Sequence, residues 1–275
     1  MRFPLKCMRC MPYASLIAIL FCTFGVSICH AAPVKIMSLG DSITAGYNGS
    51  PETELRGSYR QELGTLLSQI GIDFDFVGEF QRGAGDNDHQ GIGGYSIERM
   101  TAEYGPAVNL YQADYTLVLA GTNNHFAEPN REYYEETYRD LLQMVRDNAP
   151  DTSIIIATVP RFGYDRAPET SYWTESWVNE RNDVRFPMMN QAIYDVAAEM
   201  GNITVVDYYS ELDPTTDLIS DGVHPNLYGH QKLANLFFGE LSSQISAIPE
   251  PSIVFPMLAF GVMSTIRRRK RSAQA

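Results

Sequence analysis

A chain of 275 residues with 44% apolar and 20% charged residues suits one globular domain with appendages. The formal net charge is −12, but the ends are basic: without three basic residues in positions 1–31 and five in 267–271, 13 basic residues face 33 acidic ones, a net of −20. Such a body repels phosphate backbones, which speaks against nucleic acid as a partner.

In chain order, Arg2, Lys6 and Arg9 precede an apolar run from Ala14 to Ile28, and Cys29-His30-Ala31-Ala32 offers small residues for cleavage. This is the layout of a secretory signal peptide over residues 1–31. All four cysteines (Cys7, Cys10, Cys22 and Cys29) fall inside it, so the mature protein is expected to hold no disulfide and no thiolate metal site.

Residues 32–246 then alternate short apolar runs with longer amphipathic ones. Strands are expected at Val34–Leu39, Phe74–Val77, Tyr115–Leu119, Ser153–Thr158 and Ile203–Val206. The third and fourth are nearly continuous apolar runs, as in parallel strands covered on both faces. Helical patterns occupy Tyr59–Ile70, Glu132–Ala149, Met188–Met200 and Leu227–Ile245. The alternation predicts an α/β fold: a three-layer α/β/α sandwich around a mostly parallel five-stranded sheet, in one domain. Two segments resist the scheme. Glu79–Gly94 is rich in Gly, Asp and Asn and reads as a loop, and Arg161–Arg185 mixes aromatics and charges without a clear period.

The chemistry-bearing residues sit where these strands end. Ser42 follows the break at Gly40, where a strand gives way to a helix whose N–H groups favour negative charge. Asp221-Gly222-Val223-His224-Pro225-Asn226 spaces a carboxylate and an imidazole three apart, close enough to share a hydrogen bond while the second ring nitrogen takes a proton from a serine. Gly121-Thr122-Asn123-Asn124 and Gly91-Ile92-Gly93-Gly94-Tyr95-Ser96-Ile97 bring amide side chains and exposed N–H groups to the same sheet edge. Each stretch alone is also an ordinary turn.

In order, these four blocks resemble the GDSL, or SGNH, hydrolases, whose fold is flavodoxin-like, and the resemblance runs from about Ile36 to Leu241. It implies that Ser42 is the nucleophile, His224 the general base and Asp221 its orienting carboxylate. The oxyanion hole would combine the Ser42 and Gly94 N–H groups with the Asn123 side chain. Asn124 departs from the family, which usually carries Asp there, and no weight is placed on the change because that residue is not an oxyanion donor. No Gly-x-Ser-x-Gly elbow is present, which argues against the α/β-hydrolase fold.

Gly57-Ser58-Tyr59-Arg60, Val77-Gly78 and Asp88-His89-Gln90-Gly91 are similar to the acetyl-xylan-esterase-like branch, carbohydrate esterase family three, except that Gln90 stands where Glu is usual. The resemblance implies a polysaccharide carrying O-acetyl groups as substrate and no cofactor. Tyr95, Trp173 and Trp177 are the candidate substrate contacts; the tryptophans, with Tyr172, could stack on sugar rings or pack as a lid on themselves. Asp86-x-Asp88-x-Gln90-Gly91 matches half a calcium loop, but Ile97 holds the place of the required Glu, so no metal is expected. Within the family the alternative is a lysophospholipase or thioesterase; outside it, a non-catalytic glycan-binding matrix protein.

The tail, residues 247–275, joins Pro249-Glu250-Pro251 to an apolar run from Ile253 to Ile266 and five basic residues. Fourteen residues of helix reach about 21 Å, short of a hydrocarbon core of about 30 Å. The order resembles a PEP-CTERM sorting signal, which implies a sorting protease as partner and delivery to the cell surface or extracellular matrix of a Gram-negative bacterium.

Overall fold

Five apolar runs form the parallel strands expected of them. The computed structural model describes residues 32–47, 57–126, 130–164 and 173–246; the expected signal peptide and sorting tail lie outside them. Strand β1 (Val34–Gly40) is followed by the short helix α1 (Ser42–Ala45), then α2 (Ser58–Gln69) and β2 (Phe74–Val77). After two further short strands, β3 (Phe80–Gln81) and β4 (Asp88–Gly91), come α3 (Ile97–Glu103), α4 (Gly105–Tyr111) and β5 (Tyr115–Leu119). The second half runs α5 (Arg131–Asn148), β6 (Ser153–Ala157), α6 (Glu175–Glu180), α7 (Phe186–Met200), β7 (Ile203–Val206), α8 (Tyr208–Glu211) and α9 (Leu227–Ser246).

The parallel strands lie in the order β2–β1–β5–β6–β7, with Val34 opposite Phe74, Ile36 opposite Tyr115, Tyr115 opposite Ser153 and Ile154 opposite Ile203. This is a flavodoxin-like order whose direction reverses at β1, so the crevice at the carboxyl end of β1 is the expected place for a site. Side chains alternate strictly between two cores. Met37, Leu39, Val118, Ile154 and Ile156 face α3, α4, α5 and α7, while Ile36, Leu117, Leu119, Ile155 and Ala157 face α2 and α9. Both faces are covered, which is why β5 carries five consecutive buried residues.

The Glu79–Gly94 segment departs from expectation. It forms an antiparallel pair, with Phe80 opposite His89, and β4 then adds in parallel to the end of β1 through Leu39–Gln90 and Gly40–Gly91. Its composition disfavours strand, but the free edge of β1 beyond β2 supplies partners for its backbone. In Arg161–Arg185, residues 175–180 form α6, which passes through a π-helical turn (Arg181–Arg185) directly into α7.

Candidate active site

At the end of β1, Asp41 caps α1: it is fully buried and its Oδ1 accepts the Ile43 N–H at 2.9 Å. A four-residue helix cannot hold itself, and its surroundings fix it from several sides. Ser58 Oγ donates to Ile43 O at 2.8 Å, the fully buried Arg60 donates to Thr44 O, and Tyr104 OH donates to Gly40 O at 2.9 Å. A methyl group at Gly40 would come within 2.4 Å of Leu119 O, so the strand can end there only as glycine. This gives the Gly57-Ser58-Tyr59-Arg60 stretch a mechanical role: two of its side chains satisfy carbonyls of the turn that bears Ser42.

Ser42 Oγ lies 2.8 Å from His224 Nε2, and His224 Nδ1 lies 2.7 Å from Asp221 Oδ2, joining residues 182 positions apart. Asp221 is oriented by its own turn, since its Oδ1 accepts the N–H groups of Val223 and His224 at 2.9 Å each. Burial pushes this carboxyl up, but the hydrogen bond and charge of His224, with the two N–H groups, hold it below the ordinary aspartate range. The turn stays in place through a hydrogen bond from Gly163 N to Gly222 O at 2.8 Å, and Asn226 caps α9 beyond it, accepting from Tyr228 N at 2.8 Å.

The other three described histidines, His89, His125 and His230, are buried. Burial pushes His89 and His230 down to about 3 and His125 to about 4, so all three are neutral at pH 7. His89 accepts the Gly91 N–H through Nδ1 at 3.1 Å, and His230 Nδ1 lies 3.4 Å from Ser58 Oγ.

Opposite Ser42, Gly94 adopts φ +78°, and Gly93 passes so close that an added Cβ would lie 3.7 Å from the Ser42 Cβ. Among the described residues, the N–H groups of Ser42 and Gly94 donate to no protein acceptor. Asn123, on the 3-10 turn Thr122–Phe126, donates through Nδ2 to Tyr95 O at 2.9 Å and, at a longer 3.4 Å, to Asp41 Oδ2. A serine hydroxyl set against a carboxylate-held imidazole, with free N–H groups beside it, is equipped for nucleophilic attack on a carbonyl.

The three candidate substrate contacts are placed differently. Tyr95 is buried: its ring lies between Tyr104 and the Arg99 guanidinium, and its hydroxyl donates to Glu103 at 2.6 Å, so only its backbone carbonyl meets the site, through Asn123. Trp173 and Trp177 stack on each other at 4.6 Å and on Phe162, with Arg181 over Trp177 at 3.6 Å. Their faces are largely spent on this stack; Tyr172 lies outside the described residues. An aromatic not singled out in the sequence stands nearer the reacting groups. Tyr47 packs edge-on against the His224 ring at 4.6 Å and remains 46% exposed. Nothing in its local sequence marks it, because its neighbour is 177 positions away (224 minus 47).

The half calcium loop is occupied by the protein itself. Asp86 accepts the Phe76 N–H at 2.8 Å, Asp88 pairs within the β3–β4 ribbon, and Gln90 exchanges hydrogen bonds with Glu79.

The fold recurs among known proteins. The family 3 carbohydrate esterase of Clostridium thermocellum superposes with a TM-score of 0.62 at 24% identity, over 79% of this chain and 100% of that one. A carbohydrate esterase family 3 protein from Talaromyces cellulolyticus does so with a TM-score of 0.61 at 21% identity, over 78% and 100%. These likenesses show a shared fold. The chain belongs to the GDSL-like lipase/acylhydrolase family, a family of carboxylic ester hydrolases, whose pattern it matches over residues 38–232. A multidomain esterase of Ruminococcus flavefaciens is 28% identical over 254 residues, covering 82% of this chain; the chain spans about a third (31%) of that relative's length.

Proposed function

We propose that this protein is a secreted serine esterase that removes O-acetyl groups from a polysaccharide. The observation that carries the reading is the linear arrangement of Ser42 Oγ, His224 and Asp221, at 2.8 and 2.7 Å. In the first step Ser42 Oγ bonds to the acetyl carbonyl carbon as His224 Nε2 takes the hydroxyl proton, and Asp221 stabilises the imidazolium. The negative charge that develops on the carbonyl oxygen is met by the Ser42 and Gly94 N–H groups and by Asn123 Nδ2. Collapse expels the sugar oxygen, which leaves with the proton from Nε2 and so departs as a hydroxyl. A water then gives its proton to Nε2 and its oxygen to the acetyl carbon; acetate leaves, and Ser42 recovers its proton.

The glycan part of the reading draws on the names of two fold neighbours, both family 3 carbohydrate esterases, and on Tyr47, an exposed ring beside His224 of the kind that stacks on sugars. Export rests on residues 1–31, and a tail at 247–275 processed by a sorting protease would bring the enzyme to the cell surface or matrix. Among the described residues no helix is long and apolar enough to cross a membrane.

The test is acetate release from a panel of acetylated polysaccharides, with Ser42→Ala as control. Release by the native protein and its loss in the variant are expected. Equal turnover by both would reject Ser42 as nucleophile, and a strong preference for long-chain acyl esters would move the substrate from glycan to lipid.

A further inference from the structure

Asn124 follows the candidate oxyanion residue, but its side chain points away from Ser42 into a buried junction. It is 3% exposed, and both polar atoms of its side chain have partners. Its Oδ1 accepts the Ile97 N–H at 2.9 Å, the first N–H of α3, which has no acceptor within its own helix. Its Nδ2 donates to Glu98 Oε2 at 3.0 Å and lies 3.1 Å from the Tyr133 hydroxyl of α5. Tyr133 in turn donates to the other oxygen of Glu98. The adjacent Asn123 donates through Nδ2 to Tyr95 O, two residues before Ile97. The segment that carries Gly94 and the segment that carries Asn123 are thus stitched together by Asn123 and Asn124 in alternation. One bond fixes the Tyr95 carbonyl next to Gly94, and two fix the start of α3.

We propose that Asn124 is a positioning residue that holds the Gly94 and Asn123 donors in one geometry, and that it can do so only as an uncharged amide because the Glu98 carboxylate faces it. The proposal rests on the esterase reading of Ser42. Glu98 is ionised at neutral pH: against its burial, hydrogen bonds from Tyr133, Ser96 and Asn124 hold it below the ordinary glutamate range. Among the described residues no Lys or Arg pairs with it. The nearby Arg99 is engaged by Glu103 at 2.9 Å, Tyr134 lies beside the Tyr133 ring at 5.3 Å, His125 is bonded to Thr122 O, and Asp41 reaches Asn123. Nothing in this set neutralises a second carboxylate at position 124. Two carboxylates about 3 Å apart keep a shared proton to a raised pH and repel once it is lost. The amide avoids this by donating where a carboxylate could only accept.

The experiment is a charge swap in the full chain. Turnover of a small acetate ester is followed from pH 6 to pH 9 for the native protein, Asn124→Asp, Glu98→Gln and the double variant, with Ser42→Ala as blank and thermal unfolding of each. Asn124→Asp is expected to approach native kcat at pH 6 and to fall roughly tenfold below it by pH 9, with KM nearly unchanged, since the loss acts on charge developing in the transition state. The double variant restores the amide–carboxylate pair with its roles exchanged, and its kcat relative to native is expected to be recovered and flat with pH. A loss in Asn124→Asp that is the same at every pH and is not rescued by Glu98→Gln overturns the proposal, as does an unchanged single variant. If Asn124→Asp does not fold, a folded and active double variant still upholds the proposal, and a double variant that also fails to fold refutes it. Absence of Ser42-dependent turnover in the native protein is a separate outcome that removes the esterase reading and this inference together.

Discussion

Asn123 has one amide nitrogen with two hydrogens, and only one is firmly engaged, at 2.9 Å to Tyr95 O; the other faces Asp41 at 3.4 Å. The weak second bond leaves a donor that can turn to a developing oxyanion without giving up its anchor. Asn123→Ala is therefore expected to lower kcat by about 10²–10³ with little change in KM, measured on a small acetate ester; turnover near native would remove Asn123 from the oxyanion hole. Ser42, Asp221, His224, Gly94 and Asn123 could be singled out in the sequence because their stretches recur in order as the four blocks that resemble the GDSL hydrolases, while each stretch alone is an ordinary turn. Tyr47 was not legible, because its contact with His224 exists only after β1 and the loop before α9 meet. For the tryptophans the sequence left packing on themselves open beside stacking on sugars, and what it did not show is Phe162, which completes the stack from eleven positions before Trp173 (173 minus 162).

At the scale of elements, the two turns that carry Ser42 and His224 are too short to be stable alone and take their geometry from neighbours. Gly222 shows how tight this is. It adopts φ +71°, and an added Cβ would lie 2.0 Å from Gly163 O, the residue whose N–H holds the turn. Gly222→Ala adds a strained backbone to a clash that only backbone movement relieves, and should cost roughly 1–3 kcal/mol from the φ angle alone. Because Asp221 and His224 flank it, the variant is expected to lose both thermal stability and kcat; a native unfolding midpoint with native activity would show that the turn adapts freely. The same dependence on neighbours explains the Glu79–Gly94 segment. Its residues are poor strand formers, yet Leu39 and Gly40 offer an unpaired edge and β4 takes it. A window read along the sequence contains no information about that edge.

The molecule as a whole carries a pH dependence set by burial. His89, His125 and His230 have folded pKa values of about 3, 4 and 3, against an ordinary value of 6.5. The unfolded chain thus binds protons that the folded one refuses, so their contribution is fully present above pH 6.5 and declines as pH falls toward 4. Asp41 opposes them: burial raises it from 3.8 to about 6, the folded state binds the extra proton in that window, and its contribution declines as pH rises from 4 to 6. Asp86 and Asp88, which burial also raises, act with Asp41, while Glu98 and Asp221, held low by hydrogen bonds, act with the three histidines. The balance is a net gain of stability from pH 4 to pH 6.5. The unfolding midpoint is expected to rise across this range, and His89→Asn, which can keep an acceptor for Gly91 N, should flatten the rise whatever it does to the midpoint at pH 7. A midpoint independent of pH between 4 and 6.5 would contradict this balance.

Sequence alone determined the kind of the five parallel strands and four of the helices that cover them, because hydrophobic period is a local property of the chain. Its four ordered blocks singled out the residues at the end of β1; α3 and α4, which complete one face, were not among the expected helices. Tertiary structure decided what depends on contacts between distant segments. It put β4 on the edge of β1, supplied Ser58, Arg60 and Tyr104 as supports for a turn with no stability of its own, and set Tyr47 against His224. It also placed Glu98 beside Asn124, a residue without apparent weight in the sequence, whose buried amide is hydrogen-bonded to the start of α3. Hydrogen bonds and burial of this kind join positions whose distance along the chain carries no trace of their meeting in space.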